Sequence, residues 1–165
     1  MVDIMQVKKT PIVKGKVLFD SRSVTTRLTA HVRYVTTTDT KEPYIPVILM
    51  NKYLFRQLND GYMFAVDTVW CSDADFSNRV MKKKIPITYI DAFFHHPFIS
   101  LRKDIKDAFY YGLGKGIRTK RTGEKWRPVS EVRGILKAGK IRPLSLGEMI
   151  YLFLRSATMQ IGCLI

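Results

Sequence analysis

Between Val24 and Val35 polar and apolar positions alternate, with Thr26, Leu28, Ala30, Val32 and Tyr34 on even numbers and Thr25, Arg27, Thr29, His31 and Arg33 on odd ones. A period of two is that of a half-buried strand, so the pattern predicts a sheet face carrying Arg27, His31 and Arg33 outward. Lys16 to Phe19 reads as its hairpin partner across Asp20-Ser-Arg-Ser, a polar run suited to a turn. Tyr44 to Met50 is apolar but contains Pro46, which cannot donate to a ladder and so places that run at an edge or a strand start. Asn51 then caps a short turn bearing Leu54, Phe55 and Leu58. After the Asp60-Gly61 turn, Tyr62 to Trp70 alternates again, and Ile85 to Ile90 adds a β-rich run.

The period changes after residue 99. Ser100 precedes Leu101, Ile105, Ala108 and Phe109, the spacing of one helix face, with Gly112 and Gly114 read as its end. Two tetrapeptides, Arg127-Pro-Val-Ser130 and Arg142-Pro-Leu-Ser145, then introduce two further helices, each with serine as N-cap. Ser145 and Glu148 have the spacing of a capping box. The first of these helices carries Val132, Ile135 and Leu136; the second carries Leu146, Met149, Ile150, Leu152, Phe153, Leu154 and Ala157. A helix apolar on so many sides has to be covered by its own domain or by a partner. Arg155 interrupts that run and is expected to reach solvent.

The expected fold is therefore α+β in a single domain spanning 1–165: an N-terminal, mainly antiparallel sheet of four or five strands packed by about three C-terminal helices. Residues 1–98 are expected to be mainly β and nearly neutral, and 99–165 mainly α and strongly basic, with a basic loop at 112–127.

Charge sharpens this division. The chain has 28 Lys and Arg against 14 Asp and Glu, a formal net charge of +14. Residues 1–78 hold 10 basic and 8 acidic side chains, whereas 79–165 hold 18 and 6. Such a balance disfavours acidic substrates and points to a polyanion partner. In the stretch from Gly112 to Arg127, glycines admit close backbone approach to a phosphate, cations neutralise it, and Trp126 offers a stacking face. It lacks the spacing of a phosphate loop. The candidate nucleic-acid contacts are Lys115, Arg118, Lys120, Arg121, Lys125, Trp126, Arg127, Arg133, Lys137, Lys140 and Arg142, with Arg27 and Arg33 on the strand face.

Other chemistry is weaker. His95 and His96 are adjacent, so on a strand they point to opposite faces and do not grip one ion. Asp67, Asp73 and Asp75, with Lys82 to Lys84 nearby, hint at a magnesium nuclease, but Cys71-Ser-Asp-Ala-Asp75 reads as a polar connection between strands. No catalytic residue, metal site or cofactor is expected. Cys71 and Cys163 lack metal-ligand spacing and encode no disulfide framework. Asp3 and Gln6 break the apolar run a secretory signal needs, and Met149 to Leu154 is too short to span a bilayer. An intracellular protein, cytoplasmic or nuclear, is expected.

The function these features favour is non-catalytic binding of nucleic acid, RNA slightly ahead of DNA because no recognition-helix motif is legible. With about six phosphates neutralised, the logarithm of affinity falls against that of salt with a slope near −5. The alternative is a structural protein that binds an anionic membrane surface and self-associates, as a homo-oligomer, through the C-terminal helix. In general layout, though in no motif, the chain is similar to small basic viral matrix proteins. Burial of Leu146 to Phe153 favours the first function, and an exposed apolar face favours the second.

Overall fold

The computed structural model describes residues 1–37, 47–58, 61–64, 70–123 and 144–165. The chain is mixed α+β, with six helices and a three-stranded sheet among the described residues. In chain order these are α1 (Val2–Lys8), β1 (Ile12–Phe19), α2 (Val24–Thr37), β2 (Ile48–Met50), α3 (Leu54–Leu58), α4 (Ser72–Lys82), β3 (Ile87–His96), α5 (Leu101–Thr122) and α6 (Leu146–Leu164). Among the described residues up to 98, helices are interspersed with strands.

β1 is the central strand. It pairs antiparallel with β2, Ile12 opposite Met50, and parallel with β3, Ile12 opposite Ile87 and Phe19 opposite His96. The register slips between Lys14 and Lys16, where β3 advances from Tyr89 to Phe93. Gly15 sits at this slip, and a Cβ there would lie 2.6 Å from the Val47 side chain and 2.7 Å from the Ala92 carbonyl oxygen. One side of the sheet is closed by Ile12, Leu54, Leu58, Phe76 and Val80, with Ile48, Met50, Ile85 and Ile87 packed around them. These residues bring α3 and α4 onto the sheet.

Among the described residues three strands stand where four or five were expected, because the most regular alternation in the chain is a helix. In α2 the buried residues Thr26, Thr29 and Val32 fall at i, i+3 and i+6, and Leu28 is half-buried with Val32 one turn on. Ser23 and Thr26 start the helix reciprocally: the Thr26 N–H donates to Ser23 Oγ at 3.2 Å and the Ser23 N–H to Thr26 Oγ1 at 2.8 Å. That cap and the tertiary contacts override the strand preference of the β-branched residues. The Thr29 hydroxyl donates to the Ile99 carbonyl at 2.7 Å, tying α2 to the start of α5. Of the other strands expected, residues 44–46 and 65–69 lie outside the described residues, and 61–64 are bends and irregular backbone. The expected helix carrying Val132, Ile135 and Leu136 also lies outside them.

α5 does not end at Gly112 or Gly114. It runs to Thr122, capped at its start by Ser100 and closed by Gly123 in the left-handed region. Gly112 and Gly116 lie against α6: a Cβ at Gly112 would overlap the Met159 carbonyl oxygen, and one at Gly116 would stand 2.7 Å from that of Cys163. Gly162 of α6 is pressed equally hard on the Phe109 carbonyl. From Asp104 with Tyr151, through Gly112 with Met159, to Gly116 with Cys163, the contacts advance in one direction along both helices, so α5 and α6 run parallel.

A buried charge cluster fixes the other end of this pair. Asp104 is 0% exposed. Arg33 of α2 and the Tyr151 hydroxyl each donate to it, and Arg155 Nε donates at 3.1 Å. Arg33 also reaches Asp107 at 3.0 Å, and Lys103 bonds Asp107 from outside. Burial, with the Asp104 carboxylate beside it, pushes the Tyr151 phenol up, so it stays protonated and donates. Arg155 therefore does not reach solvent, contrary to the sequence-based expectation, whereas Phe153 is 67% exposed. The capping box at Ser145 forms as expected, and Glu148 Oε1 also meets His31 Nδ1 of α2.

Two predictions follow from this packing. Leucine at Gly112 or Gly162 forces the helix backbones apart and should lower the melting temperature by many degrees or prevent folding, since backbone cannot give way as a side chain can. Alanine at Gly147, where a Cβ meets nothing within 4 Å, should instead stabilise by about 0.5–1 kcal/mol. Asp104→Ala should cost about 3–5 kcal/mol, because it leaves the half-buried Arg155 guanidinium without its carboxylate, and Arg155→Ala should cost less, because Arg33 and Tyr151 still hold Asp104. Phe153→Ala should change monomer stability little; urea unfolding checks both orders.

Candidate nucleic-acid interface

Of the basic loop expected at 112–127, the residues to Thr122 are carried instead on a helix. Of Lys115, Arg118, Lys120 and Arg121, the first two are half-buried on α5. Arg121 is tied to Asp75 of α4 at 3.1 Å, and Lys120 faces solvent. The glycines among them serve helix packing: Gly114, for instance, would place a Cβ 3.3 Å from Cys71 and Trp70. Lys125, Trp126, Arg127, Arg133, Lys137, Lys140 and Arg142 lie outside the described residues. Arg27 and Arg33 do not share a sheet face: Arg27 is exposed on α2, and Arg33 is spent on Asp104 and Asp107.

The carboxylates considered for a nuclease are also placed. Cys71 to Asp75 is not a connection between strands but the entry to α4, where Asp73 and Asp75 occupy the first turn and favour the positive end of the helix. Asp75 is held by Arg79 at 2.9 Å as well as by Arg121, and Asp73 Oδ1 accepts from the Ala74 N–H at 2.8 Å. Asp67 lies outside the described residues. Among the described residues no three His, Cys, Asp or Glu side chains gather as metal ligands. On β3, His95 turns to Asp20 at 3.7 Å while the His96 ring packs on Phe19 at 5.1 Å.

The fold does assemble a basic surface, at the Thr10 end of the sheet. α1 ends there in Lys8 and Lys9, with Lys9 in the left-handed region closing the helix. The Thr10 hydroxyl lies 3.3 Å from the Pro86 carbonyl, which brings in the Lys82-Lys83-Lys84 run at the end of α4. The Asn51 N–H donates to the Pro11 carbonyl at 2.9 Å, and the Tyr53 N–H to Asn51 Oδ1 at 2.9 Å, which places Lys52, Tyr53 and Arg56 alongside. Three segments distant in sequence so contribute Lys8, Lys9, Lys52, Arg56, Lys82, Lys83 and Lys84, with Asp3 the acid on α1; Arg79 is turned away to Asp75. Five of the seven cations sit at the C-terminal ends of α1 and α4, where the partial negative charge of a helix end offsets their mutual repulsion.

Beside these cations, α1 and α3 enclose a cleft of about 470 Å³ lined by Met5, Lys9, Thr10, Asn51, Tyr53 and Gln57. The Tyr53 ring is 51% exposed, with Lys52 Nζ 5.0 Å and Arg56 Cζ 5.7 Å from its centroid. Both cations lie over the ring as cation–π partners, so a base stacks on it where one of them moves aside. The Lys8-Lys9 pair and the Lys82 to Lys84 run were legible as charge. That they meet is a product of the parallel β1–β3 pairing, which no local pattern encodes.

Cys71 is a packing residue. Burial first, and then the neighbouring Asp73 charge, push its thiol from 9.0 up to about 12, and burial likewise raises the Tyr111 phenol to about 12. Both groups ionise more readily in the unfolded chain, so their stabilisation is complete below pH 9 and is lost as pH rises towards 12. Urea unfolding between pH 8 and 11 should show that loss, and Cys71→Ala should shift its onset to higher pH.

Compared with known proteins, the chain matches no family model, and no curated protein or solved structure is significantly similar to it.

Proposed function

We propose that the protein is a non-catalytic nucleic-acid-binding protein that takes a single-stranded segment, RNA ahead of DNA, across the Thr10 end of the sheet. The observation that carries this reading is the cleft where Lys9 stands with Tyr53, Lys52 and Arg56 lying over that ring, at the end of the sheet to which the Thr10–Pro86 contact also brings the segment following Lys82 to Lys84. Phosphate contacts from the lysines supply affinity without sequence information, and Tyr53 gives an unstacked base a face to lie on. A single strand fits better than a duplex because the aromatic group is set in a cleft, which a base must leave its stack to reach. Lys120, with Arg102 and Lys106 on the same outward face of α5, extends the positive field without forming a second cleft. An intracellular setting, cytoplasmic or nuclear, suits two buried free cysteines.

A second reading, a self-associating structural protein, is favoured by one specific observation: the outward face of α6 is apolar and exposed. Attachment to an anionic membrane surface belongs to that reading. Among the described residues no helix is long and apolar enough to cross a membrane.

Binding of labelled single-stranded RNA, single-stranded DNA and duplex DNA across a salt series separates these readings. With about six phosphates neutralised, single strands should give a log–log slope near −4. Lys9, Lys52, Lys83 and Lys84 changed together to Ala should weaken binding at least tenfold and flatten the slope. Tyr53→Ala should weaken single strands, by about 1–3 kcal/mol, more than duplex. Lys120→Ala should have a small effect. Undiminished binding by the quadruple variant rejects this site.

A further inference from the structure

We propose that α6 is a dimerisation helix, whose outward face pairs with α6 of a second copy of this chain. Leu146, Met149, Ile150, Phe153, Leu154, Ile161 and Leu164 all point away from the domain, Leu146 and Leu164 being 70% and 73% exposed. Three polar side chains of the helix point the opposite way: Glu148 to His31, Tyr151 and Arg155 to Asp104. Those bonds fix the rotation of α6 about its axis. The apolar face cannot turn inward without breaking a buried ion pair.

The spacing identifies the occupant. Leu146, Ile150, Phe153, Ala157, Gln160 and Leu164 are separated by alternating steps of four and three residues, the 3.5-residue repeat of a helix that seats a second helix along its length. Gly147, Leu154 and Ile161 stand on one side of this seam and Met149 on the other, where Ser156 and Cys163 turn into the domain. No charge therefore repels a second copy here, in a chain with a net charge of +14. The seven apolar side chains named are each between 46% and 73% exposed, and exposed apolar groups gathered on one face mark an interaction surface. The same facts argue against an anionic membrane as occupant. A helix lying on such a surface carries lysine and arginine beside its apolar face, and the one cation of α6, Arg155, is turned inward to Asp104.

The test is the oligomeric state of the full chain, measured by sedimentation equilibrium at several concentrations, with the Ile150→Ser/Phe153→Ser double variant alongside. The wild type should be a dimer, and the double variant a folded monomer by circular dichroism, its dimer dissociation constant raised at least 100-fold. Its affinity for RNA per monomer should be unchanged, because Lys9 and Tyr53 are not on α6; that separates failure of this proposal from failure of the nucleic-acid site. If the double variant does not fold, Leu164→Ser supplies the same comparison at the end of the seam. A wild type that is monomeric at about 100 μM, weaker than any functional dimer, overturns the proposal whatever the variants do. Monomers that bind anionic vesicles of phosphatidylserine and phosphatidylcholine through the same face overturn it in favour of the membrane.

Discussion

A carboxylate with no access to water has to be neutralised where it sits, and at Asp104 the groups that do so are drawn from α2 and α6, while Asp104 itself belongs to α5. Two guanidiniums and a phenol meet two carboxylate oxygens, so one residue sets the spacing of three helices. Such a cluster adds little net stability over an apolar core, but any arrangement that separates its members leaves a charge stranded. It selects one geometry among the many that greasy helices permit. With α5 and α6 locked at this end, the two backbones close on each other further along, where Gly112, Gly116 and Gly162 remove the side chains that would hold them apart.

The orientation of α6 is a product of that lock. A helix this apolar ordinarily buries its greasy side, yet here the domain takes the polar side and leaves the other outward. The surface is divided accordingly, with cations gathered about Thr10 and an uncharged strip on α6. In the two proposals above, a polyanion and a second copy of a strongly basic chain have opposed requirements and fall to different elements.

Local chemistry was the part of the fold most legible in the sequence. The Ser145 and Glu148 capping box, the Ser100 cap and the Asn51 turn all form, because each is decided within four residues. What depended on distant partners was misread. In α2, Leu28 and Val32 are spaced equally well for a strand or a helix, and only burial against Ile99 and α6 decides between them. The glycines of α5 mean close approach of something, and sequence does not say whether that is a phosphate or a helix. Arg155 looked like a break in an apolar run because its partner stands 51 residues away. The candidate site suffered most: the densest basic stretch was legible, but the cations of the candidate site belong to three modest runs, and residues 10 and 86 become neighbours only through a parallel strand pair.

The parallel course of α5 and α6 also bears on how the chain folds. Their contacts join residues about 47 apart, and those of β1 with β3 join residues about 75 apart, so the loops that must close are long and the contact order is high. On a ribosome adding about 5–20 residues per second, Asp104 emerges several seconds before Arg155 and meanwhile keeps its hydration shell. Until α6 arrives the helix glycines have nothing to pack on, and the nascent chain holds Arg33 and Asp104 as ordinary solvated ions. Desolvating that pair is then a late event, coupled to the arrival of α6.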